Sequence, residues 1–156
     1  MSEAPPTIRI LLADDDKDDS LLFGEALQEI QLNTTFSVVH DGEQLMRFLA
    51  KQTTNLPAVI FLDLNMPRKN GVACLEEIKR HENLKRIPVI IFSTSYQESI
   101  ANLLYQNGAH YYICKPADFS QLKNVIEHSL QLISKEKTVQ PPKEKFLLNT
   151  LKSILI

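Results

Sequence analysis

Ala58-Val59-Ile60-Phe61-Leu62-Asp63-Leu64-Asn65-Met66-Pro67 is the stretch on which the fold turns. Its first five residues are apolar without interruption, bounded by Pro57 on one side and a turn-forming Met-Pro on the other. Such a run reads as a strand buried on both faces, and strands of that kind belong to parallel sheets. The run stops in a carboxylate, and a charge at the tip of a buried strand is costly unless cations or donors from elsewhere in the chain meet it. Three more segments end in the same manner. Ile8 to Ala13 runs into Asp14-Asp15-Asp16, Val89 to Phe92 into Ser93-Thr94-Ser95, and Tyr111 to Cys114 into Lys115-Pro116. Ligands of open α/β sheets collect outside the carboxyl ends of the strands, so the four tips are expected to form one site.

Working outward, Asp16 to Asp19 supply caps and negative charge for a helix N-terminus, followed by Leu21, Leu22, Ala26, Leu27 and Ile30 at helical spacing. Thr35 to Val39 reads as a second strand, and Asp41-Gly42 opens a second helix carrying Leu45, Met46, Phe48 and Leu49. After the central strand, Met66 to Gly71 is a turn-rich loop that releases a third helix with Val72, Leu75 and Ile78. Ser99 to Asn107 predicts a fourth, stopped by Asn107-Gly108. Phe119, Leu122, Val125, Ile126, Leu130 and Ile133 mark a fifth that begins near Asp118. Five strands alternating with five helices imply right-handed βαβ crossovers and a doubly wound α/β sheet.

The chain divides into an N-terminal tail over 1–7, one domain over 8–138 and an extension over 139–156. Pro141-Pro142 makes a stiff joint in that extension. Beyond it, Leu147, Leu148, Leu151, Ile154 and Leu155 are spaced to line one face of an amphipathic helix, packed on its own domain or on a partner. With 156 residues, 44% of them hydrophobic, there is room for one core and no second full domain. A net charge of −2 argues against a nucleic-acid or anionic-membrane surface, and no stretch reaches the length that spans a bilayer. Residues 1–7 hold no apolar h-region of a secretory signal, and Cys74 and Cys114 match no metal or redox spacing. A cytoplasmic protein with buried thiols is expected. His40, His81, His110 and His128 are scattered and suggest no metal centre.

Asp14, Asp15 and Asp63, gathered within a few ångströms, would repel one another strongly enough to raise their pKa values or recruit a cation. An all-oxygen ligand set favours Mg²⁺, with Mn²⁺ as a substitute. Such an ion leaves room for a phosphoryl group, toward which Lys115 could add positive charge and Ser93 a hydrogen bond. Asp63 is then the candidate nucleophile.

Asp14-Asp15, Asp63, Ser93 and Lys115-Pro116, each at a strand tip and in this order, closely resemble the receiver domain of two-component response regulators over about residues 8 to 135. The loop around Gln52 to Asn55, the approach Leu84-Lys85-Arg86-Ile87-Pro88 and the Ser93-Thr94-Ser95 run are most similar to stand-alone receivers associated with phytochrome-type histidine kinases. The resemblance implies a flavodoxin-like (βα)5 three-layer sandwich with strand order 2-1-3-4-5. It implies that Asp63 accepts a phosphoryl group from a phosphohistidine on a sensor histidine kinase or phosphotransfer protein. By the same resemblance Asp15 and Asp63 are direct Mg²⁺ ligands, Asp14 acts largely through water and Asn65 offers its backbone carbonyl. Lys115 contacts the phosphoryl group, and Pro116 follows through a cis bond. Ser93 is the switch hydroxyl, with a methyl fewer than the more common Thr, and Tyr112 is the aromatic switch.

A population shift between two forms would then be read by a downstream protein at the fourth helix, fifth strand and fifth helix. That face or the extension could also support a homodimer. No enzymatic activity is expected beyond the chain's own phosphorylation and dephosphorylation. Three rival readings are a phosphorylation-independent scaffold, an aspartate-nucleophile phosphatase and a flavodoxin-like cofactor binder. The phosphatase wants an acid where Asn65 stands, and the cofactor binder wants a Gly-, Ser- or Thr-rich loop where Asp14 to Asp16 stand.

Overall fold

Parity along the strands sets the architecture. In β1 (Ile8–Ala13), Leu11 and Ala13 face one side of the sheet while Ile10 and Leu12 face the other. The same alternation divides β3 (Val59–Leu62), β4 (Val89–Ser93) and β5 (Tyr111–Cys114), whose residues are buried throughout. Only β2 (Thr34–Val39) shows the half-exposed pattern of an edge strand. The computed structural model describes residues 6–52, 54–136 and 139–149, and in it the five strands are parallel in the order β2-β1-β3-β4-β5. The expected doubly wound sandwich is therefore present.

Two cores fill it. One lies against α2 (Gly42–Lys51), α3 (Gly71–Arg80) and α4 (Glu98–Gln106), the other against α1 (Lys17–Glu29) and α5 (Phe119–Glu136). The α1/α5 side is centred on Phe23, whose ring stacks on Phe36 at 5.5 Å and meets Phe61 and Phe92 edge-on at 4.9 and 5.4 Å. Helix α1 departs from its expected buried stripe. Phe23, Ala26, Leu27 and Ile30 are buried, whereas Leu21 and Leu22 are exposed. Asp16 caps the helix by accepting from the Asp19 amide, and the turns that follow carry Leu21 and Leu22 round to the solvent side.

Close backbone approach fixes the loops near the strand tips. A Cβ at Gly71 would lie 2.4 Å from the Asp63 carbonyl oxygen, so the first turn of α3 can sit against the end of β3 only with glycine there. Arg68, between them, takes φ +69°, in the left-handed region that non-glycine residues seldom occupy, and its guanidinium pairs with Asp41 and Glu43 at the start of α2.

The extension does not form the expected helix over the residues described. After a single 3-10 turn at Lys143–Lys145 the chain runs extended along the outer edge of β5. The Tyr112 N–H donates to the Phe146 carbonyl at 2.9 Å, and the Leu148 N–H to the Tyr112 carbonyl at 3.0 Å. Asn149 prolongs the pairing with its side chain: Oδ1 accepts from the Cys114 N–H and Nδ2 donates to the Cys114 carbonyl, both at 2.8 Å. Leu147 packs toward the α2–α4 core and Leu148 toward the α1/α5 core, a period of two where the leucine spacing suggested a helix. The reason is tertiary. Tyr112 is 1% exposed, and its outward main-chain groups need partners that a helix lying on the sheet cannot give. Upstream, Gln140 donates to the Tyr105 and Ala109 carbonyls and the Tyr105 hydroxyl donates to the Pro141 carbonyl. Leu151, Ile154 and Leu155 lie outside the described residues.

Candidate functional site

Strand register carries the acidic tips to one level. Ala13 pairs with Leu62, so Asp14 and Asp63 leave the sheet side by side, the Asp63 N–H donating to the Ala13 carbonyl at 2.9 Å. By parity Asp14 and Asp63 follow Leu12 and Phe61 onto the α1/α5 side, and Lys115 follows Ile113 there. Lys115 Nζ lies 2.7 Å from Asp14 Oδ2, 2.9 Å from Asp19 Oδ2 and 3.7 Å from Asp63 Oδ2, and 5.2 Å from the centre of the Phe92 ring. Asp14 is wholly buried and Asp63 nearly so. Burial pushes the Asp63 carboxyl up to about 7, with Lys115 pulling it down and Asp14 pushing it further up. Burial alone would lower the Lys115 ammonium, but its bonds to Asp14 and Asp19 outweigh this and raise it.

Asp15 completes the acidic group from the exposed side. One oxygen from each of Asp14, Asp15 and Asp63 falls within 4.8 Å of the others. The donor set is entirely carboxylate, without thiol or imidazole, which suits a hard divalent cation. Asp15 and Asn65 open onto a cleft of about 610 Å³ between the β3–α3 loop and the start of α4, reached also by Met66, Ser95 and Tyr112. The site therefore has a protected ammonium on one side and an open approach on the other.

Ser93 and Tyr112 project to the opposite side of the sheet, beside α4. The Ser93 hydroxyl is buried and engages Ser95, 3.3 Å from its hydroxyl and 3.4 Å from its amide, instead of the carboxylates. The Tyr112 hydroxyl donates to the Ser95 carbonyl, and its ring is held edge-on between Tyr96 at 5.3 Å and Phe146 at 6.2 Å. Ser93 and Tyr112 thus share Ser95 and form a second group adjoining the charged one. The Lys115–Pro116 bond is trans, as is every described peptide bond, contrary to the cis bond that the resemblance implies. Trans is the lower-energy isomer before proline, and the turn is secured by the Lys115 N–H donating to the Ser93 carbonyl at 2.8 Å.

Asp19 was not among the expected site residues. Asp16, Asp18 and Asp19 all suit a helix N-terminus, and sequence alone does not select the one that reaches Lys115. The selecting signal is the cap: with Asp16 at the N-cap, Asp19 is the third residue of the helix and turns back over its start.

Residues 10–127 match the family model described as the response regulator receiver domain. Response regulator Rcp1 of Synechocystis sp. is 35% identical over 127 residues, 79% of this chain and 86% of that protein. The crystal structure of its Mn(2+)-bound form superposes with a TM-score of 0.73 at 32% identity, covering 86% of this chain and 99% of that one. The phosphorylated cyanobacterial phytochrome response regulator RcpA gives a TM-score of 0.75 at 33% identity, covering 87% and 99%.

Proposed function

This chain belongs to the response regulator receiver family, and from that premise we propose that Asp63 is the residue on which it is phosphorylated. The protein is a receiver of phosphorylation-based signals, like Rcp1 and RcpA, and the phosphatase, cofactor-binding and scaffold readings are not favoured. It binds a divalent metal, to which the acidic cluster and the Mn(2+)-bound form of Rcp1 both point. The observation that carries the assignment of Asp63 is the convergence of Asp14, Asp15 and Lys115 on its carboxylate at the end of β3.

In the proposed reaction an Asp63 carboxylate oxygen attacks phosphorus as the phosphorus–nitrogen bond of a partner's phosphohistidine breaks, and the departing imidazole keeps the electron pair and takes a proton from water. Lys115 stands ready to hold a phosphoryl oxygen, while Asp14 keeps that ammonium charged and in place. A metal held by Asp14, Asp15, Asp63 and the Asn65 carbonyl supplies charge neutralisation when bound, and Mg²⁺ is the ion we assign, with Mn²⁺ able to replace it. Ser93 and Tyr112 act as the switch, coupled through Ser95 to the start of α4. Donors are sensor histidine kinases or phosphotransfer proteins, and the reader is a downstream protein at α4, β5 and α5. A homodimer through that face would involve residues 146–149, which lie on it. The chain has no other enzymatic role in this reading. A cytoplasmic location agrees with two buried free thiols, and among the described residues no helix is long and apolar enough to cross a membrane.

Incubation with Mg²⁺ and a small phosphoramidate donor should add one base-labile phosphoryl group to the intact protein and none to Asp63→Asn. An undiminished adduct in Asp63→Asn would remove the assignment. Independently of that chemistry, Mg²⁺ should raise the melting temperature of the unphosphorylated chain, and by less in Asp15→Asn.

A further inference from the structure

We propose that Asp19 is a positioning residue that competes with the incoming phosphoryl group for Lys115 and so sets how tightly the site holds that group. The inference rests on Asp63 as the phosphoacceptor. It begins at the helix cap. In a capping box the acidic side chain at the third helical residue reaches back to the backbone N–H of the cap. Here the Asp16 N–H already donates to Asp14 Oδ1 at 3.0 Å, so the Asp19 carboxylate is released from that duty and turns to Lys115 at 2.9 Å.

An ammonium has three donors. One of those on Lys115 goes to Asp19, the ammonium is ion-paired with Asp14 at 2.7 Å, and at 3.7 Å from Asp63 it lies beyond hydrogen-bond range of the carboxylate to be modified. The two committed partners differ in what they lose on letting go. The Asp14 side chain is 0% exposed and cannot turn to water on release, whereas the Asp19 side chain is 31% exposed and can. Phosphorylation makes the Asp63 side chain more negative and brings oxygens that need the same ammonium. Asp19 is therefore the partner that is exchanged, and its own charge opposes the group that replaces it.

The test uses the full chain with Mg²⁺ and trifluoroberyllate, whose beryllium becomes tetrahedral on binding a carboxylate oxygen and so resembles a bound phosphoryl group, followed by fluorine NMR. Asp19→Asn and Asp19→Ala should bind it roughly threefold to tenfold more tightly, the scale of one charge-assisted contact at a partly exposed position. Asp19→Glu, which keeps the charge, should stay near the unaltered protein, and Mg²⁺ affinity should move less than about twofold. In a Lys115→Met background the gain from Asp19→Asn should vanish. Persistence of the gain there, a matching change in Mg²⁺ affinity, or unchanged or weaker binding in folded Asp19→Asn overturns the proposal. On the unaltered chain, the Asp19 carboxyl carbon resonance should move toward its solvent-exposed value when the anion binds, and an unmoved resonance overturns the proposal without any variant. Binding by the unaltered chain that does not depend on Asp63 overturns the reading of the site as well; Asp63-dependent binding with no Asp19 effect overturns this inference alone.

Discussion

At the carboxyl ends of β1, β3 and β5 the sheet stops in ionisable side chains, whereas along the outer edge of β5 it stops in main-chain groups covered by residues 146–149. Both are buried ends of a hydrogen-bonded lattice. At the tips, Asp14 and Lys115 form a buried ion pair at 2.7 Å, and removing Lys115 leaves Asp14 as a buried charge without a cation. At the edge, Tyr112 and Cys114 are satisfied by a backbone ladder and one amide side chain, and each contact is an ordinary neutral hydrogen bond. The contrast teaches that the charged end should be brittle and the covered edge should open in parts.

Lys115→Met tests the brittle end most severely. With divalent ions chelated it should lower unfolding free energy by about 3 kcal/mol, because Asp14 is left buried beside Asp63 without a cation. Urea titration of both forms reads this directly, and a loss under about 1 kcal/mol would mean the carboxylates relieve their own charge by taking up protons. Phe146→Ala is next. Truncating a buried phenylalanine costs about 3 kcal/mol in a rigid core, but here residues 146–149 can lift away, so the global loss should be nearer 2 kcal/mol. Amide exchange separates the two: the Tyr112 and Leu148 amides should speed up about tenfold or more while those of β3 change far less. Equal acceleration throughout the sheet would mean that edge and tips unfold as one unit.

Asn149→Ala should cost about 1 kcal/mol, seen as faster exchange at the Cys114 amide alone. Lys79 mixes the two cases, being a charge satisfied by main chain. Its ammonium donates to the Lys85 and Ile87 carbonyls at 3.0 and 2.9 Å, and burial pulls its pKa down to about 8 from 10.5. A lysine whose folded pKa is depressed penalises the folded state below that value and ceases to do so as both states lose the proton. Stability from this group should therefore rise between about pH 8 and 10.5, and Lys79→Met should abolish the rise in melting temperature over that window.

The tips were readable in the sequence because two local facts suffice there: where an apolar run stops and which charged residue follows it. Asp14, Asp15, Asp63 and Lys115 needed no more. Their separation from Ser93 and Tyr112 follows from strand parity, since odd and even positions face opposite cores. Asp19 was hidden among neighbouring acids that serve a helix N-terminus equally well. Leu21 and Leu22 misled by being apolar near helical spacing while the cap at Asp16 turned them outward. The run from Phe146 to Asn149 was hidden for a different reason. Its partner is the backbone of β5, and backbone demand leaves no mark on residue type.

That pairing also has an order in time. Asn149 meets Cys114 across thirty-five positions of sequence, with the whole of α5 between them. At about 5 to 20 residues per second, a ribosome adds that span in roughly 2 to 7 seconds. Until residues 146–149 are in place the outer edge of β5 has no partner from its own chain, an open template for any other extended chain nearby. The residues that close it therefore guard the sheet against pairing with a second chain as well as holding it together.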